Sequence, residues 1–173
     1  MDSYYGPGFP RWHNKAPSVN LREVGQNLYV GGEYSPFSCR FPLAGVVVLY
    51  DYSRLDGNGN EARREAYDEI PLVYKHFFND GGEIPERLLD TALQLAALVR
   101  PMGPLLVHCQ AGLSRSASVA YALLRAMDGL DHQKALQRVQ TPGEDKFPLP
   151  PVLASARAWV GRQRRRAAAA RQA

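Results

Sequence analysis

Two residues stand at a spacing that suggests chemistry: Cys109 and Arg115, in the stretch L-L-V-H-C-Q-A-G-L-S-R-S from Leu105 to Ser116. An apolar run, Leu105-Leu106-Val107, leads into His108 and Cys109, and a long apolar helical pattern begins after Arg115. The segment therefore reads as strand, tight loop and helix. The loop residues Gln110, Ala111, Gly112, Leu113 and Ser114 include a glycine and small side chains, which lets successive backbone N–H groups turn inward as a nest for an anion. The start of the following helix adds unpaired N–H groups and the positive end of its dipole, and both favour phosphate. Arg115 is placed to close the nest with a planar guanidinium that binds two phosphate oxygens together. A free cysteine titrates at roughly 8.5, and a helix N-terminus with a nearby cation lowers that value by several units. The expected resting form of Cys109 is a thiolate, held beneath a phosphorus atom for in-line attack.

With its flanking residues, His-Cys-x5-Arg-Ser resembles the signature of the cysteine-dependent protein phosphatases. In the detailed form H-C-Q-A-G-L-S-R-S it most resembles the dual-specificity branch. The resemblance implies a phosphocysteine intermediate, and it implies that Ser116, directly after the arginine, hydrogen-bonds the departing sulfur. Read on its own, Ser116 is equally a helix-start hydroxyl that satisfies backbone. His108 is read either as a loop-orienting residue or as a satisfied strand-end histidine.

Ester cleavage also needs a proton for the departing oxygen, so a carboxylic acid must reach the site from a neighbouring loop. Asp80 is the expected group. It directly follows the strand-like run Leu72 to Phe78, sits beside Gly81 and Gly82, and precedes Cys109 by 29 residues. The resemblance implies a general-acid aspartate at about this separation, although the glycine pair departs from some family members. Asp51 also follows a strand and stands second; Asp90 falls on the polar face of a predicted helix. His13, His76, His108 and His132 show no ligand spacing, and neither a metal nor a cofactor is expected.

The elements that must position these groups alternate along the chain. Strands are predicted over Asn27 to Gly32, Ala44 to Tyr50, Leu72 to Phe78 and Pro104 to His108. The continuous β-branched run A-G-V-V-V-L-Y is expected near the middle of the sheet, covered on both faces. Helices are predicted over 61–68, Ile84 to Val99 and Ser116 to Met127, then from an Asp131 N-cap, and finally from Pro151, with Leu88, Leu89, Ala92, Leu95, Ala96 and Val99 keeping the helical period in the second. Asp56 to Gly59 and Thr141 to Pro150 read as loops. The fold class is α/β, a mainly parallel central sheet flanked by helices, with ligands bound beyond the C-terminal strand ends.

Composition sets the remaining limits. The chain has 173 residues, of which 45% are hydrophobic and 22% charged, as for one ordinary globular domain. The expected division is a Gly/Pro/aromatic extension over 1–20, a catalytic domain over 21–161, and a basic Arg/Ala-rich tail over 162–173. Arg162, Arg164, Arg165, Arg166 and Arg171 exceed the whole net charge of +4, so the rest of the chain is slightly acidic. No aromatic residues interleave with those arginines for base stacking, so they read as a solvated helix end rather than a nucleic-acid site, though a basic cluster leaves nucleic acid open as a partner. Two cysteines, Cys39 and Cys109, are too few for a disulfide framework, and no run suits a membrane span or secretory signal. A soluble cytoplasmic protein is expected. Cys39 reads as an ordinary half-buried residue, with a reversible disulfide to Cys109 as the alternative.

The expected substrate is a phosphorylated protein, carrying phosphotyrosine and also phosphoserine or phosphothreonine. Lipid phosphatases of the family usually carry lysines inside the loop, where this chain has Gln110 and Leu113, and the aromatic loop that deepens tyrosine-only sites is not recognisable. Four alternatives remain: a catalytically silent phosphopeptide-binding module, a phosphoinositide phosphatase, an RNA 5′-triphosphatase, and a rhodanese-like sulfur carrier, which also uses a cysteine loop but gives Asp80 no role.

Overall fold

The computed structural model describes residues 20–50, 67–144 and 146–172. Within them five strands form one sheet: β1 (Arg22–Gly25), β2 (Leu28–Gly31), β3 (Gly45–Val48), β4 (Val73–Lys75) and β5 (Leu105–His108), in the order β1-β2-β5-β3-β4. The edge pair β1–β2 is antiparallel, and the pairs β2–β5, β5–β3 and β3–β4 are parallel. Every residue of β3 and β5 is buried, which is why both read as unbroken apolar runs. Alternation divides their side chains: Val47, Leu49, Leu105 and Val107 face the larger core, while Val46, Val48 and Leu106 face a smaller cluster with Leu43 and Tyr67.

The helices are α1 (Ser35–Ser38), α2 (Glu86–Val99), α3 (Arg115–Met127), α4 (His132–Val139) and α5 (Pro150–Ala170). The larger core gathers α2, α3, α4 and α5 on one face of the sheet. Helix α3 is buried continuously from Arg115 to Leu124, packed between α2, α4, α5 and strands β2 and β5. A helix so enclosed gives the loop before it a rigid floor. The Asp131 carboxylate caps α4 by accepting the Lys134 N–H at 2.8 Å.

Several boundaries depart from the sequence expectations. Strand β1 was not predicted, because R-E-V-G buries a single apolar side chain, Val24. It forms as half of a hairpin whose turn places Asn27 at φ 52° and ties its side-chain amide to the Arg100 carbonyl at 2.8 Å. The run 72–78 contributes only Val73–Lys75 as strand. Helix α5 continues past Gly161 through Ala167–Ala170, strong helix formers, with Arg162 and Arg166 paired to Glu86 at 3.3 and 3.2 Å. Of the predicted helix 61–68, Tyr67 and Asp68 are described and are helical. Asp51, the 56–59 loop and the 1–20 extension, Asn20 excepted, lie outside the described residues.

Candidate active site

The C-terminal ends of the parallel strands converge because Gly31 of β2, Val48 of β3 and His108 of β5 lie in register. Cys109 follows directly, its amide bonded to the Gly31 carbonyl at 3.2 Å and its side chain buried. From there the chain turns tightly through 110–114 and enters α3 at Arg115. Gly112, at φ 75°, makes the turn: a Cβ there would stand 2.7 Å from both Gly31 C and Gly32 N. Only glycine fits a left-handed position pressed against another backbone.

The direction of the loop amides follows from what holds their carbonyls. The Gln110 carbonyl accepts from the Glu33 amide at 2.9 Å, the Ala111 carbonyl from the Asn20 side-chain amide at 2.7 Å, and the Gly112 carbonyl from Arg22 at 3.1 Å. In a planar trans peptide the N–H points opposite to its C=O. Holding these three carbonyls from outside therefore turns the N–H groups of Ala111, Gly112 and Leu113 to the other side, and the Gly112 N–H donates to Cys109 Sγ at 3.3 Å. Ser116 Oγ lies 3.2 Å from the same sulfur. The sulfur thus has a backbone N–H and a side-chain hydroxyl within hydrogen-bond reach.

Arg115 reaches across the strand ends. Its Nη1 donates to the carbonyls of Leu49, after β3, and Phe78, after β4, at 3.1 and 3.4 Å. Its Nε is buried and makes no hydrogen bond among the described residues, although Asp80 Oδ1 lies 3.7 Å away. Both observations hold together, since 3.7 Å is a charge contact beyond hydrogen-bond range. The Asp80 side chain is 48% exposed, on the turn that Gly82 closes by donating to the Asn79 carbonyl at 3.1 Å.

His108 is fully buried at the end of β5, its Nε2 sharing a 2.7 Å hydrogen bond with the Tyr67 hydroxyl. Burial pulls its pKa down to about 4, against a smaller upward pull from the Cys109 carbonyl, so the ring stays neutral. Ser114 Oγ accepts the Leu149 amide at 3.2 Å, which joins the segment before α5 to the loop. Cys109, Arg115, Ser116, His108 and Asp80 are therefore gathered at one end of the sheet. Asp90 is elsewhere, accepting from Trp159 Nε1 and Gln163 Nε2.

Solved structures share this architecture. Tk-PTP in its active form superposes with a TM-score of 0.61 at 20% identity, covering 87% of this chain and 98% of that one. PTPMT1 in complex with PI(5)P gives 0.64 at 16% identity, over 85% and 98%. TpbA from P. aeruginosa, in complex with pTyr, gives 0.57 at 21% identity, over 86% of each chain. The chain has the fold of the cysteine-dependent phosphatases. No protein-family model and no curated protein sequence matches it.

Within this phosphatase fold the two cysteines occupy different surroundings. Cys109 belongs to the larger core, whereas Cys39 packs against the smaller cluster on the opposite face, donating to the Ser35 carbonyl at 3.3 Å. Burial pushes the Cys39 thiol up to about 11, which suits the ordinary half-buried reading. Among the described residues no group of three or more His, Cys, Asp or Glu side chains could hold a metal ion, and no helix is long and apolar enough to cross a membrane. Sequence reasoning missed Asn20, Arg22 and Tyr67. None lies near the loop in sequence, and no local pattern marks them.

Proposed function

We propose that this chain is a phosphoric monoester hydrolase that works through a phosphocysteine intermediate, taking phosphotyrosine and phosphoserine or phosphothreonine in proteins. The observation that carries the reading is the buried Arg115 Nε without a hydrogen-bond partner among the described residues, beside a sulfur that receives the Gly112 N–H and stands near the Ser116 hydroxyl. An oxyanion above Cys109 would engage the guanidinium and the inward amides together.

In the first step the Cys109 thiolate forms a bond to phosphorus as the ester oxygen leaves, and Asp80 gives that oxygen its proton. Arg115 and the amides hold the equatorial oxygens, where charge is spread in the transition state. In the second, Asp80 as carboxylate takes a proton from water, which attacks phosphorus. The sulfur leaves as thiolate, stabilised by Ser116, and inorganic phosphate departs. The protein-substrate reading is supported by Gln110 and Leu113, which bring no cation into the loop, and by the phosphotyrosine complex of TpbA. A reducing, cytoplasmic setting suits the two free cysteines. The catalytic unit is residues 21–161, with 162–173 as its basic extension.

A panel of phosphotyrosine and phosphothreonine peptides, a phosphoinositide and an RNA 5′-triphosphate tests this, with Cys109→Ser as the inactive control. Vanadate-sensitive release of phosphate from the peptides is expected. Preferred turnover of the phosphoinositide, as the PI(5)P complex of PTPMT1 would suggest, replaces the substrate class. Peptide binding without turnover by the unaltered protein removes the enzyme reading.

A further inference from the structure

Arg22 lies on the edge strand β1, 90 residues before Gly112, and touches neither Cys109 nor the space above it through any hydrogen bond described here. Its guanidinium nevertheless joins three pieces of backbone. Nη1 donates to the Gly112 carbonyl and to the Asn20 carbonyl, both at 3.1 Å, and Nη2 donates to the carbonyl of Val139, the last residue of α4. Asn20, whose carbonyl it holds, donates in turn to the Ala111 carbonyl at 2.7 Å. The two side chains thus grip adjacent loop carbonyls from outside.

We propose that Arg22, assisted by Asn20, is a positioning residue for the phosphate loop: it fixes the Ala111 and Gly112 carbonyls outward and so presents the Gly112 and Leu113 amides to the substrate phosphoryl group. The inference rests on the hydrolase reading above and adds a residue to it. The geometry follows from peptide planarity, since the Ala111 carbonyl shares a plane with the Gly112 N–H that reaches Cys109 Sγ. The Gly112 carbonyl shares one with the Leu113 N–H. A glycine in this loop has little of its own to prevent these planes from flipping. Burial lowers the Arg22 pKa from its ordinary value, and the attraction of the Cys109 sulfur opposes that shift.

Arg22→Met, Arg22→Lys and Asn20→Ala test the assignment through two readouts on the folded protein: inorganic vanadate affinity, and the rate of Cys109 alkylation by iodoacetamide at pH 6. A urea midpoint for each variant separates stability from loop geometry. Arg22→Met is expected to weaken vanadate binding about tenfold, the size of one charge-assisted hydrogen bond, and to slow alkylation. Arg22→Lys retains the charge without the fork, so alkylation recovers while vanadate affinity stays low. Asn20→Ala weakens vanadate binding and leaves alkylation closer to that of the unaltered protein. Should Arg22→Met fail to fold, the other two variants carry the same comparison. A lowered urea midpoint with both readouts unchanged makes Arg22 a structural tie and overturns the inference alone. Failure of the unaltered protein to bind vanadate overturns the hydrolase reading, and this inference with it.

Discussion

Arg115 Nε stands 3.7 Å from Asp80 Oδ1, joining a guanidinium whose side chain is 9% exposed to a carboxylate that is 48% exposed. The arginine is held at the back by the Leu49 and Phe78 carbonyls, so a phosphoryl group entering over Cys109 meets a cation already in place. The aspartate is half exposed, as the proposed proton donor to a departing oxygen needs to be. Asp80→Asn should therefore lower kcat/KM by about 10²–10⁴ for alkyl phosphates such as phosphothreonine peptides, whose leaving oxygen needs a proton in the first step, and by much less for p-nitrophenyl phosphate. On both substrates kcat should fall, because hydrolysis of the phosphocysteine loses its base. Equal losses of kcat/KM on both substrates would assign Asp80 to binding instead. Arg115→Lys should lower kcat/KM by about 10²–10³ on either substrate, because one fork of donors to the transition state is gone.

Gly112→Ala should be more damaging than its single methyl suggests. The new Cβ meets the backbone of Gly31 and Gly32 at 2.7 Å, and backbone cannot rotate aside. The left-handed φ adds about 1–2 kcal/mol for a residue with a side chain. The loop must move away from the end of β2, and a displacement near 1 Å costs about a hundredfold in rate. Steady-state kinetics with p-nitrophenyl phosphate would check this; kcat/KM within twofold of the unaltered protein would show that the Gly112 conformation is not needed.

The arrangement of the candidate site was legible where it is confined to consecutive residues. Cys109, its loop and Arg115 occupy one strand-loop-helix segment, as the sequence pattern predicts, and β3 and β5 announced themselves because burial on both faces removes polar residues from the run. Helix α2 was legible through its period because only one of its faces is buried, and α3 through its nearly unbroken apolar and small residues because it is enclosed. What failed depends on distant partners. Strand β1 buries only Val24, so its existence rests on pairing with β2 rather than on its own pattern. The strand run at 72–78 stops early as pairing, and the Phe78 carbonyl goes to Arg115. The side chains behind the loop, Asn20 and Arg22, come from a segment whose composition is that of any polar edge. A charge at that place acquires meaning only when the fold brings Gly112 to it.

Asp90 offers a contrast with Asp80. Its Oδ1 accepts from Trp159 Nε1 and Gln163 Nε2, both at 2.8 Å, fastening α5 to α2 over the fully buried indole. Asp90→Ala should leave the indole N–H unpaired and cost about 1–3 kcal/mol, read as a lower urea midpoint. Its kcat and KM for p-nitrophenyl phosphate should match those of the unaltered protein at temperatures where both are folded. A large loss of kcat would mean that the acid has been misassigned.

His108 makes stability depend on pH in a definite direction. Its folded-state pKa of about 4 lies below the ordinary 6.5, because burial penalises the imidazolium. Between those values the unfolded chain binds a proton that the folded chain refuses. The contribution of the neutral ring is therefore complete above pH 6.5 and is lost as pH falls toward 4, a change on the order of 3 kcal/mol. His108→Gln keeps a polar group for the Tyr67 hydroxyl and removes the titration. Urea midpoints taken at pH 7 and pH 4.5 should fall further for the unaltered protein than for the variant, whatever the carboxylates add to both. If the two fall by the same amount, the imidazole gains its proton as readily in the folded chain as in the unfolded one, and burial does not depress its pKa.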